Sequence, residues 1–160
     1  MQPIQTHPFA PICDARSEIL ILGSFPSVQS RARNFYYAHP QNRFWRMLAG
    51  VYATKTPVTM EEKCDILLKN HLALWDVLQE CAITGSADAS IQNAKPNDLT
   101  PLLQNCALRR ILCNGGKAYE LFRRHIVTEI PVYRMPSTSP ANAARRLEQL
   151  IEAWREGLLQ

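Results

Sequence analysis

The sequence predicts an α/β fold in which helices cover both faces of a parallel β-sheet. Four compact apolar runs, each ended by a turn or a polar residue, are typical of buried strands and span 18–23, 72–77, 110–114 and 130–135. Helical patterns lie between them, and strands that alternate with helices build parallel sheets. A chain of 160 residues with 46% hydrophobic residues suits one domain with a sizeable core. We therefore expect a single domain spanning residues 1–160.

The helical patterns are read from apolar residues at helical spacing. The first predicted helix has Pro40 in its first position, and its stripe consists of Phe44, Met47, Leu48 and Val51. Two further helices are predicted over 60–70 and about 117–125. The last begins with Ser139 as N-cap and Pro140 in the first position. Its stripe consists of Leu147, Leu150, Ile151, Trp154 and Leu158.

Ligands of open parallel sheets bind outside the carboxyl ends of the strands. The segments that leave the four predicted strands, 23–27, 75–76, 114–117 and 136–139, should therefore line one edge. Three of them are rich in Gly, Ser and Pro, which suits close backbone approach and contact with phosphate. The 114–117 loop lacks the spacing of a nucleotide phosphate loop, so we do not expect ATP binding. Ser24 lacks the Gly-x-Ser-x-Gly context of a serine hydrolase, and that reaction is rejected.

Positive charge and aromatic rings are concentrated in one part of the chain. No Asp or Glu occurs from Ile19 to Met60, where the basic residues are Arg31, Arg33, Arg43, Arg46 and Lys55. The chain carries a net charge of +4, so the remainder sums to about −1. Aromatic and basic residues interleave over 34–46, which favours phosphate neutralisation together with base stacking. A solvated basic face beside core aromatics explains the composition equally well.

Other classes of protein are disfavoured by what the sequence lacks. No apolar run approaches membrane-spanning length, and the first residues lack the pattern of a signal peptide. The five cysteines form no Cys-x-x-Cys pair and have no His at ligand spacing. We therefore expect free cytosolic thiols and no zinc or iron–sulfur site.

Asn42 is the most interesting polar residue of the aromatic segment. With Pro40 in the first helical position, Asn42 falls in the first turn, roughly opposite Phe44 and off the buried stripe. Its amide could hold a water or a developing anion at the positive end of the helix dipole, although simple capping is the commoner explanation. His39, which precedes a proline, is expected to be structural at the helix entry.

Seven short strings occur in a distinctive order between about residues 19 and 144. They are Ile21-Leu-Gly-Ser-Phe-Pro-Ser27, Tyr36-Tyr-Ala-His-Pro-Gln-Asn-Arg-Phe-Trp45, Leu74-Trp-Asp-Val77, Gly85-Ser-Ala-Asp88 with Ile91, Pro96-Asn-Asp98, Asn114-Gly-Gly-Lys117 and Met135-Pro-Ser-Thr-Ser-Pro140. Together they resemble the uracil-DNA glycosylase superfamily, and within it the branch of hypoxanthine-DNA (DNA-deoxyinosine) glycosylases. The second string also resembles the mismatch-specific uracil/thymine glycosylases, a sister branch.

The resemblance implies a three-layer α/β/α sandwich with a central four-stranded parallel sheet. It also implies a DNA repair enzyme that flips a deaminated base, with hypoxanthine favoured, and hydrolyses its N-glycosidic bond without metal or cofactor. We expect a monomer that binds DNA and no membrane, in the cytoplasm and on the nucleoid when engaged.

Residue roles follow from the same resemblance. Asn42 matches the catalytic Asn of the hypoxanthine branch. The expected base-binding residues are Ser24, Phe25, Tyr37, Trp75 and Asp76. The expected DNA-binding residues are Pro26, Ser27, Arg43, Gly115, Gly116, Lys117, Pro136, Ser137, Thr138 and Ser139.

Three departures from the superfamily pattern bear on the base that is read. Phe25 stands where sister branches carry an Asp or Asn that orients water, so that role must move, with Asn42 as the candidate. Met135 replaces a His, and Trp75-Asp76 replaces the Asn that reads uracil. Hypoxanthine is therefore easier to accept than uracil. The alternatives are a mismatch-specific uracil/thymine glycosylase and a non-catalytic binder of damaged DNA or nucleotide.

Overall fold

A computed structural model describes residues 3–159 of the chain. In chain order its elements are β1 (Ile4–Thr6), β2 (Ile19–Gly23), α1 (Val28–Arg33), α2 (Phe44–Val51), α3 (Met60–Lys69), β3 (Leu72–Asp76), β4 (Leu78–Ala82), a 3₁₀ turn (Asp88–Ser90), β5 (Gln92–Pro96), α4 (Thr100–Asn105), β6 (Arg110–Asn114), α5 (Gly116–His125), β7 (Val132–Met135) and α6 (Leu147–Leu159). Within residues 3–159, no helix is both long and apolar enough to cross a membrane.

The centre of the fold is the predicted four-stranded parallel sheet, in the order β3-β2-β6-β7. Every residue of β2 is buried, because the strand lies inside the sheet and helices cover both faces. Ile19 and Ile21 face the core formed with α2, α3 and α6. Leu20 and Leu22 face the opposite core, formed with α4 and α5. This alternation confirms the three-layer α/β/α prediction.

The first predicted helix begins at Phe44, so the prediction of Pro40 in its first position was wrong. Residues 39–42 form a turn instead, in which the backbone N–H of Asn42 donates to the His39 carbonyl at 3.0 Å. The backbone N–H of Arg43 donates to the Thr138 carbonyl at 3.0 Å. That hydrogen bond ties the residue before α2 to the loop after β7.

The last helix begins at Leu147, and the predicted N-cap at Ser139 was wrong. The stripe itself is confirmed, because Leu150, Trp154 and Leu158 are buried. Residues 139–146 form turns. The Arg43 guanidinium stabilises these turns by donating to the carbonyl oxygens of residues 139, 142 and 145.

A second, antiparallel sheet in the order β1-β4-β5 was not predicted. Its strands are short and partly polar, and β4 follows β3 after a single residue, so the apolar pattern does not separate them. The pairing of β1 with β4 aligns Ile4 with Ala82. This brings the chain around residue 7 against the carboxyl end of the main sheet, where His7 donates its backbone N–H to the Gln79 carbonyl.

Helix α3 begins with a capping box, in which the Thr59 hydroxyl accepts from the Glu62 backbone and the Glu62 carboxylate accepts from the Thr59 backbone. Thr59→Ala removes the first of these bonds, and we expect the free energy of unfolding to fall by about 1 kcal/mol. Denaturant unfolding followed by circular dichroism measures it. Thr56→Ala is the matched control in the preceding loop, and an equal loss in the two variants would contradict the capping role.

Candidate active site

A cleft of about 310 Å³ lies at the carboxyl edge of the parallel sheet. All four predicted strand-end segments and the aromatic segment contribute residues to its lining. The predicted site residues that line it are Ser24, Phe25, Pro26, Ser27, Tyr37, Asn42, Asp76, Ser137, Thr138 and Ser139. The cleft is within the size range of ligand pockets in proteins. The edge rule for parallel sheets therefore located it from the sequence.

The remaining predicted site residues lie outside the cleft lining. Pro136 and Gly115 belong to loops, and Gly116 and Lys117 begin helix α5. The Lys117 ammonium lies 3.8 Å from the Glu120 carboxylate. Trp75 packs against both hydrophobic cores. The Arg43 guanidinium donates to carbonyls of the loop after β7, so its observed contacts brace that loop.

Gly115 allows the loop after β6 to approach the serine loop closely. Its φ of +99° is a conformation that glycine adopts readily. A Cβ at this position would lie 3.1 Å from the Ser137 Cβ atom. The glycine therefore serves the packing of two loops beside the cleft.

A network of hydrogen bonds fixes the orientation of the Asn42 amide. The Thr138 backbone N–H can only donate, and it lies 3.0 Å from the Asn114 side chain, so it meets the oxygen Oδ1 there. Asn114 Nδ2 therefore donates to Thr138 Oγ1 at 3.0 Å. The Thr138 hydroxyl is then left to donate to Asn42 Oδ1 at 2.9 Å. The Phe44 backbone N–H donates to the same oxygen at 2.9 Å.

The two bonds to Asn42 Oδ1 leave its NH₂ group as the part that can act on a ligand. Both lone pairs of the oxygen are engaged. The assignment is fixed because a backbone N–H can only donate: the Phe44 N–H bonds the oxygen directly, and the Thr138 N–H sets the orientation of Asn114 and so of the Thr138 hydroxyl. Asn42 therefore presents a hydrogen-bond donor to the cleft. This NH₂ group can stabilise a negative charge or donate to a neutral hydrogen-bond acceptor, but it cannot accept a proton.

Tyr37 lies beside Asn42 in a strained backbone conformation. Its φ of +53° is uncommon for a bulky residue and costs about 1–3 kcal/mol. The ring stacks on Phe44, with centroids 4.2 Å apart and planes at 24°. Burial and the nearby Asp76 charge raise the pKa of the hydroxyl, and the Asn114 amide partly opposes them. Among residues 3–159 the buried hydroxyl finds no hydrogen-bond partner of good geometry.

Asp76 lines the cleft, and its carboxylate is bound by His7, which is not part of the lining. The His7 Nε2 atom lies 2.7 Å from Asp76 Oδ2, and the two side chains are only 3% and 5% exposed. A Cβ on Gly23 would lie 2.4 Å from Asp76 Oδ1, so only glycine leaves room for this carboxylate. The pair joins the N-terminal segment to the end of β3.

Asp88 places a second carboxylate in the cleft. Its Oδ1 atom accepts a hydrogen bond of 2.7 Å from the Ser24 hydroxyl. The residue as a whole is exposed, but its carboxylate lines the cleft. Desolvation there raises its pKa, the Ser24 hydrogen bond and the Lys117 charge lower it, and the Asp76 charge raises it further.

Sequence reasoning missed three polar residues of this region. Asn114 and Asp88 stood inside quoted strings but received no role. His7 had no local signal, because its partner is 69 residues away and only the antiparallel sheet brings them together. Among the residues described, no cluster of three or more His, Cys, Asp or Glu could hold a metal ion.

Comparison with known proteins agrees with this fold. The family model of the Uracil DNA glycosylase superfamily matches residues 10–157. A protein from Methanosarcina acetivorans named hypoxanthine DNA glycosylase is 36% identical over 138 residues, 84% of this chain and 86% of its own length. A protein of the same name from Methanosarcina barkeri is 33% identical over 153 residues, covering 92% and 94%.

A solved structure shows the same architecture. The solution NMR structure of a candidate uracil DNA glycosylase from Methanosarcina acetivorans superposes with a TM-score of 0.80 at 33% identity. The match covers 99% of this chain and 100% of that one.

Proposed function

This chain belongs to the uracil-DNA glycosylase superfamily, and on that premise we propose that it is a DNA repair enzyme that releases hypoxanthine from deoxyinosine. The reaction hydrolyses the bond between C1′ and N9 and leaves an abasic site. Two relatives that cover most of the chain carry the name hypoxanthine DNA glycosylase. The predictions of a monomer and of a cytoplasmic location stay predictions.

The single observation that carries the site assignment is the fixed Asn42 amide. As the C1′–N9 bond breaks, the sugar becomes positive and the purine becomes negative. A preoriented N–H donor stabilises developing negative charge without reorganising, which is the largest source of catalysis in many enzymes. Asn42 presents such a donor, because Thr138 and Phe44 hold its oxygen.

Tyr37 supports the capture of a flipped base. A base inside the duplex must leave the stack before its glycosidic bond can be reached, at a cost of a few kcal/mol. Stacking on an aromatic ring stabilises a flipped base by about 1–3 kcal/mol. The Tyr37 ring lines the cleft and is held from behind by Phe44. The strained backbone of Tyr37 supports a functional reason for its position.

The loops around the cleft supply contacts for the DNA backbone. Ser27, Ser137 and Ser139 present hydroxyls at the cleft, and Lys117 adds a positive charge nearby. Ser27 is also the N-cap of helix α1, and its hydroxyl accepts from the Ser30 backbone. In the proposal these loops hold the phosphates on either side of the flipped nucleotide, which offsets the unstacking cost.

Lys117→Ala should weaken binding to duplex DNA and make it less sensitive to salt. If Lys117 contacts a phosphate, the slope of log binding constant against log salt should fall by about 1. Fluorescence anisotropy of a labelled duplex between low and moderate salt measures both quantities. Lys69→Ala, at the end of α3, is the charge-matched control. An unchanged slope for Lys117→Ala would exclude the phosphate contact.

The proposed function is tested with four labelled duplexes that contain deoxyinosine, deoxyuridine, deoxyxanthosine or a G·T pair. We expect alkali-sensitive abasic sites from the deoxyinosine duplex, with free hypoxanthine detected by mass spectrometry. Cleavage confined to the uracil or G·T duplex would assign the chain to the mismatch-specific activity. A gel shift without cleavage of any duplex would make it a binder of damaged DNA.

A further inference from the structure

Attack of water on C1′ releases a proton, and a carboxylate in the cleft can both orient the water and accept that proton. Asn42 cannot accept it, because both lone pairs of its oxygen are engaged and its NH₂ only donates. Phe25, in the loop after β2, offers no polar atom on its side chain. A side chain that accepts this proton therefore has to be another residue of the cleft.

Two carboxylates line the cleft, and their surroundings differ. Asp76 is 3% exposed, with one oxygen on His7 and the other packed over Gly23, so water has little access to it. Asp88 is an exposed residue, and only its Oδ1 atom is engaged, by Ser24. Among residues 3–159 its Oδ2 atom has no hydrogen-bond partner, so it is available to a water in the cleft.

We propose that Asp88 is a second catalytic residue, whose carboxylate orients the attacking water and accepts its proton while Ser24 holds the carboxylate in place. The inference rests on the proposed function and divides the work between two side chains. Asn42 acts on the departing purine, and Asp88 acts on the water.

The proposed step conserves atoms and charge. The C1′–N9 bond breaks and its electron pair leaves with the purine. The water oxygen bonds to C1′, one of its protons passes to the Asp88 carboxylate, and the other stays on the new sugar hydroxyl. The purine anion takes a proton from solvent, and Asp88 returns its proton to solvent. One water is consumed, and free hypoxanthine and an abasic deoxyribose are formed.

The electrostatic surroundings of Asp88 suit this role. Partial burial raises its pKa above the ordinary value, with the Asp76 charge acting in the same direction. A carboxylate with a raised pKa is a stronger base once it is ionised. The Ser24 hydrogen bond and the Lys117 charge act in the opposite direction and favour the ionised form.

Asp88→Asn is the direct test, since asparagine keeps the shape and can still accept from Ser24. We expect the single-turnover rate of hypoxanthine release from a deoxyinosine duplex to fall by about a hundredfold. Affinity for a duplex containing uncleavable 2′-fluoroarabino-inosine should change less than about threefold, because binding of this duplex does not involve attack by water. Asp65→Asn, on the exposed side of α3, is the charge-matched control and should behave as wild type.

A chemical rescue identifies the lost group. Asp88→Ala leaves space beside Ser24, and added formate should restore part of the rate by supplying a carboxylate. Ser24→Ala keeps the Asp88 carboxylate, so its rate of hypoxanthine release should fall less than that of Asp88→Ala. Added formate should not raise the rate of Ser24→Ala.

Asp88→Asn that releases hypoxanthine within about threefold of wild type would overturn the inference, as would a loss explained wholly by weaker binding. The inference would also be overturned if a neutral amide restored the rate of Asp88→Ala and formate did not. Wild-type protein that releases no hypoxanthine would overturn the proposed function itself, an outcome distinct from an active Asp88→Asn variant.

Discussion

Replacing Asn42 by alanine should lower the single-turnover rate of hypoxanthine release by about a thousandfold, since removing one preoriented donor to a developing anion costs about 10²–10³ in rate. Loss of the cap on the Phe44 backbone and of the Thr138 contact adds to the effect. Quenched-flow release of hypoxanthine from a deoxyinosine duplex measures the rate. Affinity for the uncleavable duplex should remain within about threefold of wild type, because the donor acts on the departing purine.

Asn42→Asp separates the donor from the structural role of the side chain. The carboxylate can still accept from Phe44 and Thr138, so the turn and the start of α2 should stay intact. The NH₂ group is lost, and a negative charge is added near the departing purine. We expect a rate loss as large as that of Asn42→Ala, with an unchanged melting temperature. A rate near wild type would contradict the assignment of Asn42 as a donor.

Replacing His7 by leucine should lower the free energy of unfolding by about 3 kcal/mol, because it leaves the buried Asp76 carboxylate without its partner. The two side chains are 3% and 5% exposed, so water cannot replace the lost hydrogen bond. The imidazole also packs against Phe9 with ring centroids 4.6 Å apart. Urea unfolding followed by tryptophan fluorescence measures the change.

A second histidine–carboxylate pair provides the control. His71 lies 3.2 Å from Glu18, with side chains 44% and 40% exposed. Exposed ion pairs contribute about 0–1 kcal/mol, so His71→Asn should cost no more than that. Asparagine suits the positive φ of 59° at residue 71. Similar losses in the two variants would contradict the claim that burial gives the His7–Asp76 pair its strength.

The main sheet could be predicted from the sequence because its strands are buried on both faces. Such strands appear as continuous apolar runs, and β6 was predicted to the residue. The buried face of the last helix was predictable for a similar reason, because Leu150, Trp154 and Leu158 form one apolar stripe that is buried. These features depend on local patterns that tertiary contacts reinforce.

The helix starts and the second sheet could not be predicted because they depend on distant contacts. The Thr138 carbonyl accepts from the backbone N–H of Arg43, 95 positions away in the chain numbering, directly before α2 begins. The Arg43 guanidinium in turn binds the carbonyls of Ser139 and Asn142 in the turns before α6. Neither contact leaves a pattern in its own segment.

The site was predictable as a set of loops and only partly as chemistry. The carboxyl-edge rule brought Ser24, Asn42 and Thr138 to one cleft. The direction of the Asn42 amide follows from a chain of hydrogen bonds through Asn114, which no spacing rule contains. The same series of hydrogen bonds excludes Asn42 as a proton acceptor, which leaves Asp88 as the proposed one.

The most direct test of the account is a crystal structure of the wild-type protein with a duplex that contains 2′-fluoroarabino-inosine. The account predicts that the hypoxanthine lies outside the helix against the Tyr37 ring, with the Asn42 NH₂ group within hydrogen-bond distance of the purine. A base that stays stacked in the duplex, or an Asn42 amide that is turned away from the purine, would contradict it.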